Sequence, residues 1–239
     1  MIKKFIHWLL DYFYAIYVIG KTFILRVEPR HYLEHIVEAK VPIILIPGIF
    51  EKWHFLKYFA DALSELGHPI YILNHLGYNR KEISHSAQIV REFIEEKELK
   101  NIIILAHSKG GLIGKELLLH HNNDMRVINL IAVASPFRGS KIARGMPVRA
   151  LRELAPGGHI LEKQNIQTGV NQKIISIYGS FDNHIWPGDS SHLENAENIQ
   201  VTIYGHHKIL ANKKVRKIIL DKVEKISNQQ SKIPHKVGF

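Results

Sequence analysis

Three residues far apart in the chain are of types that together do acyl-transfer chemistry: Ser108, Asp182 and His206. A serine hydroxyl is a poor nucleophile at neutral pH, so an imidazole must take its proton and later pass it to the leaving group. A carboxylate then fixes the tautomer of the imidazole and stabilises its cation. Ser108 carries the strongest local signal. An apolar run, Ile102 to Leu105, stops at Ala106-His107-Ser108, and Lys109-Gly110-Gly111 opens a helical pattern through Leu112, Ile113, Leu117 and Leu118. A small-x-Ser-x-Gly segment between strand and helix predicts a sharp turn that strains the serine backbone and lifts its hydroxyl clear of the sheet. Ala106, Gly110 and Gly111 supply the small side chains that such a turn needs. A serine that merely caps a helix is the plainer alternative.

The two partners are weak signals singly. The chain has 16 histidines, and an aspartate just after a strand is an ordinary turn residue. Their positions carry more weight. Asp182 follows the strand expected over 173–178, and His206 follows the one over 199–204, so each stands nearest a strand terminus. His207, His184 and, for the acid, Asp189 are the alternative assignments. Developing negative charge would need two backbone N–H donors. One is expected from Lys109, directly after the serine, with its side chain directed away. The other is expected from Ile49, beyond Pro47-Gly48 at the end of the first strand.

Alternating apolar runs and amphipathic stretches from about Lys40 onward must position these groups. Strands are expected at 41–46, 70–73, 102–106, 127–134, 173–178 and 199–204, and helices at 53–66, 84–98, 109–121 and 207–226. Strands without polar alternation, separated by helices, form a parallel sheet covered on both faces, with functional groups at its carboxyl edge.

At 239 residues the chain suits one sizeable domain, and 46% hydrophobic with 23% charged residues is globular composition. With no cysteine, disulfides, thiolate metal sites and cysteine nucleophiles are excluded. The net charge of +10, much of it in the C-terminal quarter, favours an anionic surface. Nucleic acid is not expected, since charge alone points to it. Residues 1 to 28 are nearly all apolar or aromatic, broken by His7 and Asp11 one helical turn apart. No small-residue cleavage site follows, so a removable signal is not expected. Asp11 in mid-segment would cost about 2.5–3.5 kcal/mol in a spanning helix. Trp and Tyr with flanking lysines suit a helix lying in a membrane interface, and packing on the protein's own surface is the competing reading. The helical run is expected to end by Glu28-Pro29.

From roughly Val41 to Leu210 the chain resembles α/β-hydrolases of the bacterial triacylglycerol lipase and esterase group. The resemblance rests on four segments in order: Ala106-His107-Ser108-Lys109-Gly110-Gly111, Ser135-Pro136-Phe137-Arg138-Gly139-Ser140, Phe181-Asp182-Asn183-His184-Ile185-Trp186-Pro187 and Gly205-His206-His207-Lys208-Ile209-Leu210. Lys208 and Pro47 depart from the usual Gly and His of that group. The resemblance implies an α/β-hydrolase fold, with a mostly parallel central sheet, helices on both faces and a small cap segment at about 139–169. It implies Ser108, Asp182 and His206 as a triad, Ile49 and Lys109 as the oxyanion hole, and no metal or organic cofactor. A lipid or other carboxylic ester is the implied substrate. Acyl transfer, thioester or amide cleavage, and a membrane-peripheral binding protein without turnover are the rival readings. The expected organisation is an N-terminal extension (1–39), the hydrolase domain (40–226) and a basic tail (227–239), in a cytoplasmic or peripheral membrane protein of open oligomeric state.

Overall fold

The computed structural model of the protein describes residues 2–24 and 30–232, the side chains of 2–5 excepted. The chain begins with a long helix, α1 (Ile2–Ile24), and then alternates. The order is β1 (Ile43–Ile46), α2 (Lys57–Glu65), β2 (Ile70–Ile72), α3 (Ile83–Glu96), β3 (Ile102–His107), α4 (Lys109–His120) and β4 (Val127–Val133). Two short helices, α5 (Arg149–Arg152) and α6 (His159–Ile166), lead to β5 (Ile174–Phe181), β6 (Glu197–Tyr204) and α7 (Lys213–Gln230).

All six strands pair in parallel, in the order β2-β1-β3-β4-β5-β6. Alternate side chains of each strand leave opposite faces of a sheet, which divides the core in two. Ile43, Leu45, Ile103, Leu105, Ile131 and Val133 pack on one face with residues of α1, α2 and α7. Ile44, Ile46, Ile102, Ile104, Leu130 and Ala132 pack on the other with α3, α4 and α6. Burial on both faces is why these strands read as unbroken apolar runs.

Several expected boundaries shift. The strands expected at 173–178 and 199–204 are longer, Ile174–Phe181 and Glu197–Tyr204. The closing helix does not start at 207. Residues Lys208–Ala211 form a 3-10 turn, and α7 begins after Asn212, whose side chain accepts the N–H groups of Lys214 and Val215. That cap satisfies two orphan donors and sets the start. The helix then runs to Gln230, past the boundary expected at 226, because Val215, Ile219, Val223 and Ile226 keep burying one stripe. The rest of the expected tail, 233–239, and the expected helix end at Glu28-Pro29 lie outside the described residues.

The helix α1 has two unlike sides. His7, Asp11, Ala15 and Val18, at helical spacing, form its inner stripe. Asp11, Ala15 and Val18 are buried, and the His7 ring stacks on Tyr204 at 4.9 Å. The outer side leaves Leu10, Phe13, Ile16, Tyr17, Phe23 and Ile24 exposed, Phe13 at 66%. Among the described residues, no helix is long and apolar enough to cross a membrane.

Candidate active site

Ser108 sits between β3 and α4 with φ 50° and ψ −123°, a backbone region that non-glycine residues rarely occupy. Its N–H donates to the Val133 carbonyl at 2.9 Å, and its carbonyl accepts from Gly111 at 3.1 Å. The two glycines after it are sterically required. A Cβ on Gly110 would stand 2.2 Å from the Ile46 carbonyl oxygen, and one on Gly111 would stand 2.1 Å from Ser135 Oγ. The strain at Ser108 is therefore held by packing against β1 and the loop after β4.

Asp182 follows β5 directly and is buried. Its Oδ1 accepts the N–H groups of His184 at 2.7 Å and Ile185 at 2.9 Å. Its Oδ2 lies 2.8 Å from Nδ1 of His206. His206 follows β6 after Gly205, whose φ of +112° suits glycine. With Nδ1 taken, Nε2 of His206 is left without a hydrogen-bond partner among the described residues. Burial disfavours the His206 cation, but the charge and hydrogen bond of Asp182 outweigh it and raise its pKa above the ordinary 6.5. Burial likewise opposes the Asp182 carboxylate, yet His206 and the His184 N–H hold its pKa below 3.8.

Ser108, His206 and Ile49 line one cavity of about 390 Å³. Its remaining wall is largely apolar. Ile16 and Ile19 come from α1, and Ile142, Met146, Leu151 and Leu154 come from the segment expected as a cap. That segment is a 3-10 turn at Lys141–Gly145 followed by α5 and α6, so it forms a wall and not a bulky lid. In the Pro47–Glu51 turn, the Gly48 N–H goes to Glu51 Oε2 at 2.7 Å, and the Phe50 N–H goes to the Tyr78 carbonyl at 2.8 Å. The Ile49 N–H has no acceptor among the described residues. Lys109 Nζ is buried and turned the other way, donating to the carbonyls of Asn79 and Lys81. Burial lowers its pKa to about 8.

The alternative assignments fall elsewhere. Asp189 has its side chain 67% exposed and lies 3.6 Å from Arg138. His184 stacks on His206 with centroids 4.7 Å apart and planes 13° apart. Burial, then the neighbouring His206 and His207, lowers the His184 pKa to about 3. One nitrogen from each of His184, His206 and His207 falls within 4.8 Å of the others. Imidazole lone pairs lie in the ring plane, however. Two nearly parallel stacked rings cannot both direct them at one ion, so the trio is poorly arranged for a metal.

A second layer of polar residues, Glu51, His107, His207 and Asp11, lies beneath the site. Glu51, fully enclosed, places Oε2 at 2.9 Å from His107 Nδ1 and Oε1 at 3.5 Å from His207 Nε2. His107 Nε2 is 3.2 Å from the His206 carbonyl oxygen. Burial works against the Glu51 carboxylate, but the charge and hydrogen bond of His107, then the charge of His207, hold its pKa at about 2. Asp11 completes the layer. It accepts the N–H of His207 at 2.7 Å, the N–H of Lys208 at 2.8 Å and the His207 ring at 2.9 Å. The signal available in the sequence was Asp11 itself, a carboxylate sharing one stripe with His7 in an apolar helix. Glu51 in a turn gave no comparable sign.

A parallel six-stranded sheet flanked by helices, with a strained serine between the third strand and its helix, defines the α/β-hydrolase fold. Residues 41–155 match the family model for the alpha/beta hydrolase fold. A putative esterase/lipase 3 of Mycoplasma pneumoniae is 30% identical over 101 residues, which cover 40% of this chain and 37% of that protein. The match thus spans little more than a third of that relative. Among solved structures, mature Bacillus licheniformis lipase BlEst2 superposes with a TM-score of 0.65 at 16% identity, over 80% of this chain and 95% of that one. Aspergillus fumigatus lipase B gives 0.69 at 18% identity, over 83% and 55% respectively. The chain has the α/β-hydrolase fold, and residues 41–155 carry the similarity to that family.

Proposed function

We propose that the protein is a serine hydrolase that cleaves carboxylic esters with apolar acyl groups, through an acyl-enzyme on Ser108. The observation that carries this reading is the Asp182–His206 pair at 2.8 Å opening on the same apolar cavity as Ser108. His206 Nε2 takes the hydroxyl proton as Ser108 Oγ attacks the ester carbonyl carbon. The tetrahedral oxyanion is met by the N–H groups of Ile49 and Lys109, each such donor being worth about 10²–10³ in rate. His206 returns the proton to the leaving alcohol, and water repeats the sequence to release the acid. Asp182 stays ionised and steadies the His206 cation. The lipase and esterase names of its relatives agree with this chemistry, and the apolar wall favours lipid acyl chains. The exposed outer side of α1 fits a lipid surface: its bare aromatic and aliphatic side chains gain by leaving water, and the net charge of +10 favours anionic headgroups.

Labelling by a fluorophosphonate tests the reaction. The wild type is expected to label and Ser108→Ala to lose all labelling; a folded wild type that does not label overturns the reading. A series of p-nitrophenyl esters of increasing acyl length then reads how much of the cavity is used. Flotation with anionic liposomes, with and without residues 1–28, tests the lipid surface, and equal flotation of both forms would remove α1 from that role.

A further inference from the structure

We infer that Asp11 is a positioning residue for His206, which makes α1 a working part of the catalytic centre instead of an attachment to it. The inference rests on the triad proposed above and concerns how its base is held. A histidine on a loop past a strand end is mobile unless its backbone is fixed. The N–H groups of residues 206–208 are held by two side chains. Asn183 Oδ1 accepts the His206 N–H at 2.9 Å, and Asn183 Nδ2 donates to Asp11 Oδ2 at 3.1 Å. Asp11 then accepts the next two N–H groups directly, from His207 and Lys208, and the Nδ1 of His207. One carboxylate thus gathers four donors, and it is fully buried.

The approach is close enough to constrain the sequence of the loop. A Cβ at position 205 would stand 2.6 Å from Asp11 Oδ1, so glycine is required there by α1 as well as by its positive φ. The hub also reaches the opposite side of the cavity. His207, held by Asp11 at one nitrogen, faces Glu51 with the other, and Glu51 takes the Gly48 N–H beside Ile49. Removing Asp11 therefore frees the base and slackens the turn that carries an oxyanion donor. The same helix lines the cavity through Ala15, Ile16 and Ile19.

Charge placement gives a readout that mere folding support would not move. The groups facing His206 are Asp182, Asp11, Glu51, His107, His184 and His207, and Asp11 is one of the carboxylates favouring its cation. In Asp11→Asn an amide oxygen can still take the two backbone N–H groups, so the fold should hold, while the charge and the acceptor shared by Nδ1 of His207 and Nδ2 of Asn183 are lost.

The test compares full-length wild type with Asp11→Asn and Asp11→Glu. Fluorophosphonate labelling of Ser108 should slow by about tenfold or more in Asp11→Asn, as for loss of outer-shell support at other sites. In the ester assay kcat should fall more than KM rises, and the acid limb of kcat/KM should move to lower pH. Imidazole nitrogen NMR should show the His206 titration moving down and the His207 tautomer changing, a readout that needs no turnover. Asp11→Glu should recover part of the rate. A folded Asp11→Asn that labels at the wild-type rate with an unmoved His206 titration overturns the inference. If wild type does not label but the His206 titration moves in Asp11→Asn, the hydrolase reading fails and the positioning of residue 206 by Asp11 stands.

Discussion

Two carboxylate–imidazole pairs stand side by side at the end of β6, one residue apart, and they are built almost alike. Asp182 meets His206 at 2.8 Å and Asp11 meets His207 at 2.9 Å. They differ in what the second ring nitrogen meets. Nε2 of His206 has no hydrogen-bond partner among the described residues, and His206 lines the cavity that Ser108 also lines, whereas Nε2 of His207 faces Glu51 at 3.5 Å. A histidine engaged by carboxylates at both nitrogens braces structure, and one left open at a single nitrogen can move a proton. Residue type and local geometry do not separate the two; the vacancy at one nitrogen does.

The widest gap between the pairs should appear on neutralising Asp182. Asp182→Asn leaves the loop in place but removes the partner that fixes the His206 tautomer, so kcat should fall by about 10⁴-fold with the melting temperature little changed. Neutralising the structural side should do the reverse. Glu51→Gln leaves His107 and His207 buried beside an uncharged amide, and chemical denaturation should register a loss of about 1–3 kcal/mol with a smaller effect on rate. The serine turn gives an intermediate effect. Gly110→Ala drives a Cβ into the Ile46 carbonyl, expected to cost about 1–3 kcal/mol and to slow labelling.

The pH dependence sharpens the contrast further. His206 must be neutral to accept a proton and its pKa is raised above 6.5, so kcat/KM should still be below half its maximum at pH 6.5 and climb above it. Asp11 has its pKa depressed: burial opposes ionisation, but His207 and the Lys208 N–H outweigh it. Its contribution to stability is therefore present above 3.8 and lost as pH falls below that, a component that Asp11→Asn should lack in acid denaturation. The smallest effect belongs to the outer side of α1. Phe13→Ser should change stability by no more than about 0.5 kcal/mol while weakening flotation with liposomes.

How much of this could be read beforehand follows from chain distance. The elbow was legible because its signals are contiguous: an apolar run, a serine and glycines that only a tight turn requires. The meeting of Asp182 with His206 was legible because each follows its own strand, and a parallel sheet delivers strand ends to one edge. The closing helix was legible, but its start at 213 and not 207 was not, because Asn212, a side-chain cap, decides it against the apolar run at 209–210. Asp11 was read as a polar blemish on an apolar helix, since its partners lie 196 and 197 residues away and no local pattern encodes that contact. Glu51 and His107 were missed for the same reason.

That separation bears on how the molecule is made. During synthesis α1 leaves the ribosome before any strand of the sheet, with its inner carboxylate bare and its outer side apolar, and residues 205–208 follow only after all six strands. The turn at Ser108 can close as soon as β1, β3 and β4 have assembled, yet residues 205–208 cannot be seated until β6 has been made. On the proposed function the site is thereby completed late in folding, so a polypeptide still lacking β6 would hold a formed serine turn and no seated base.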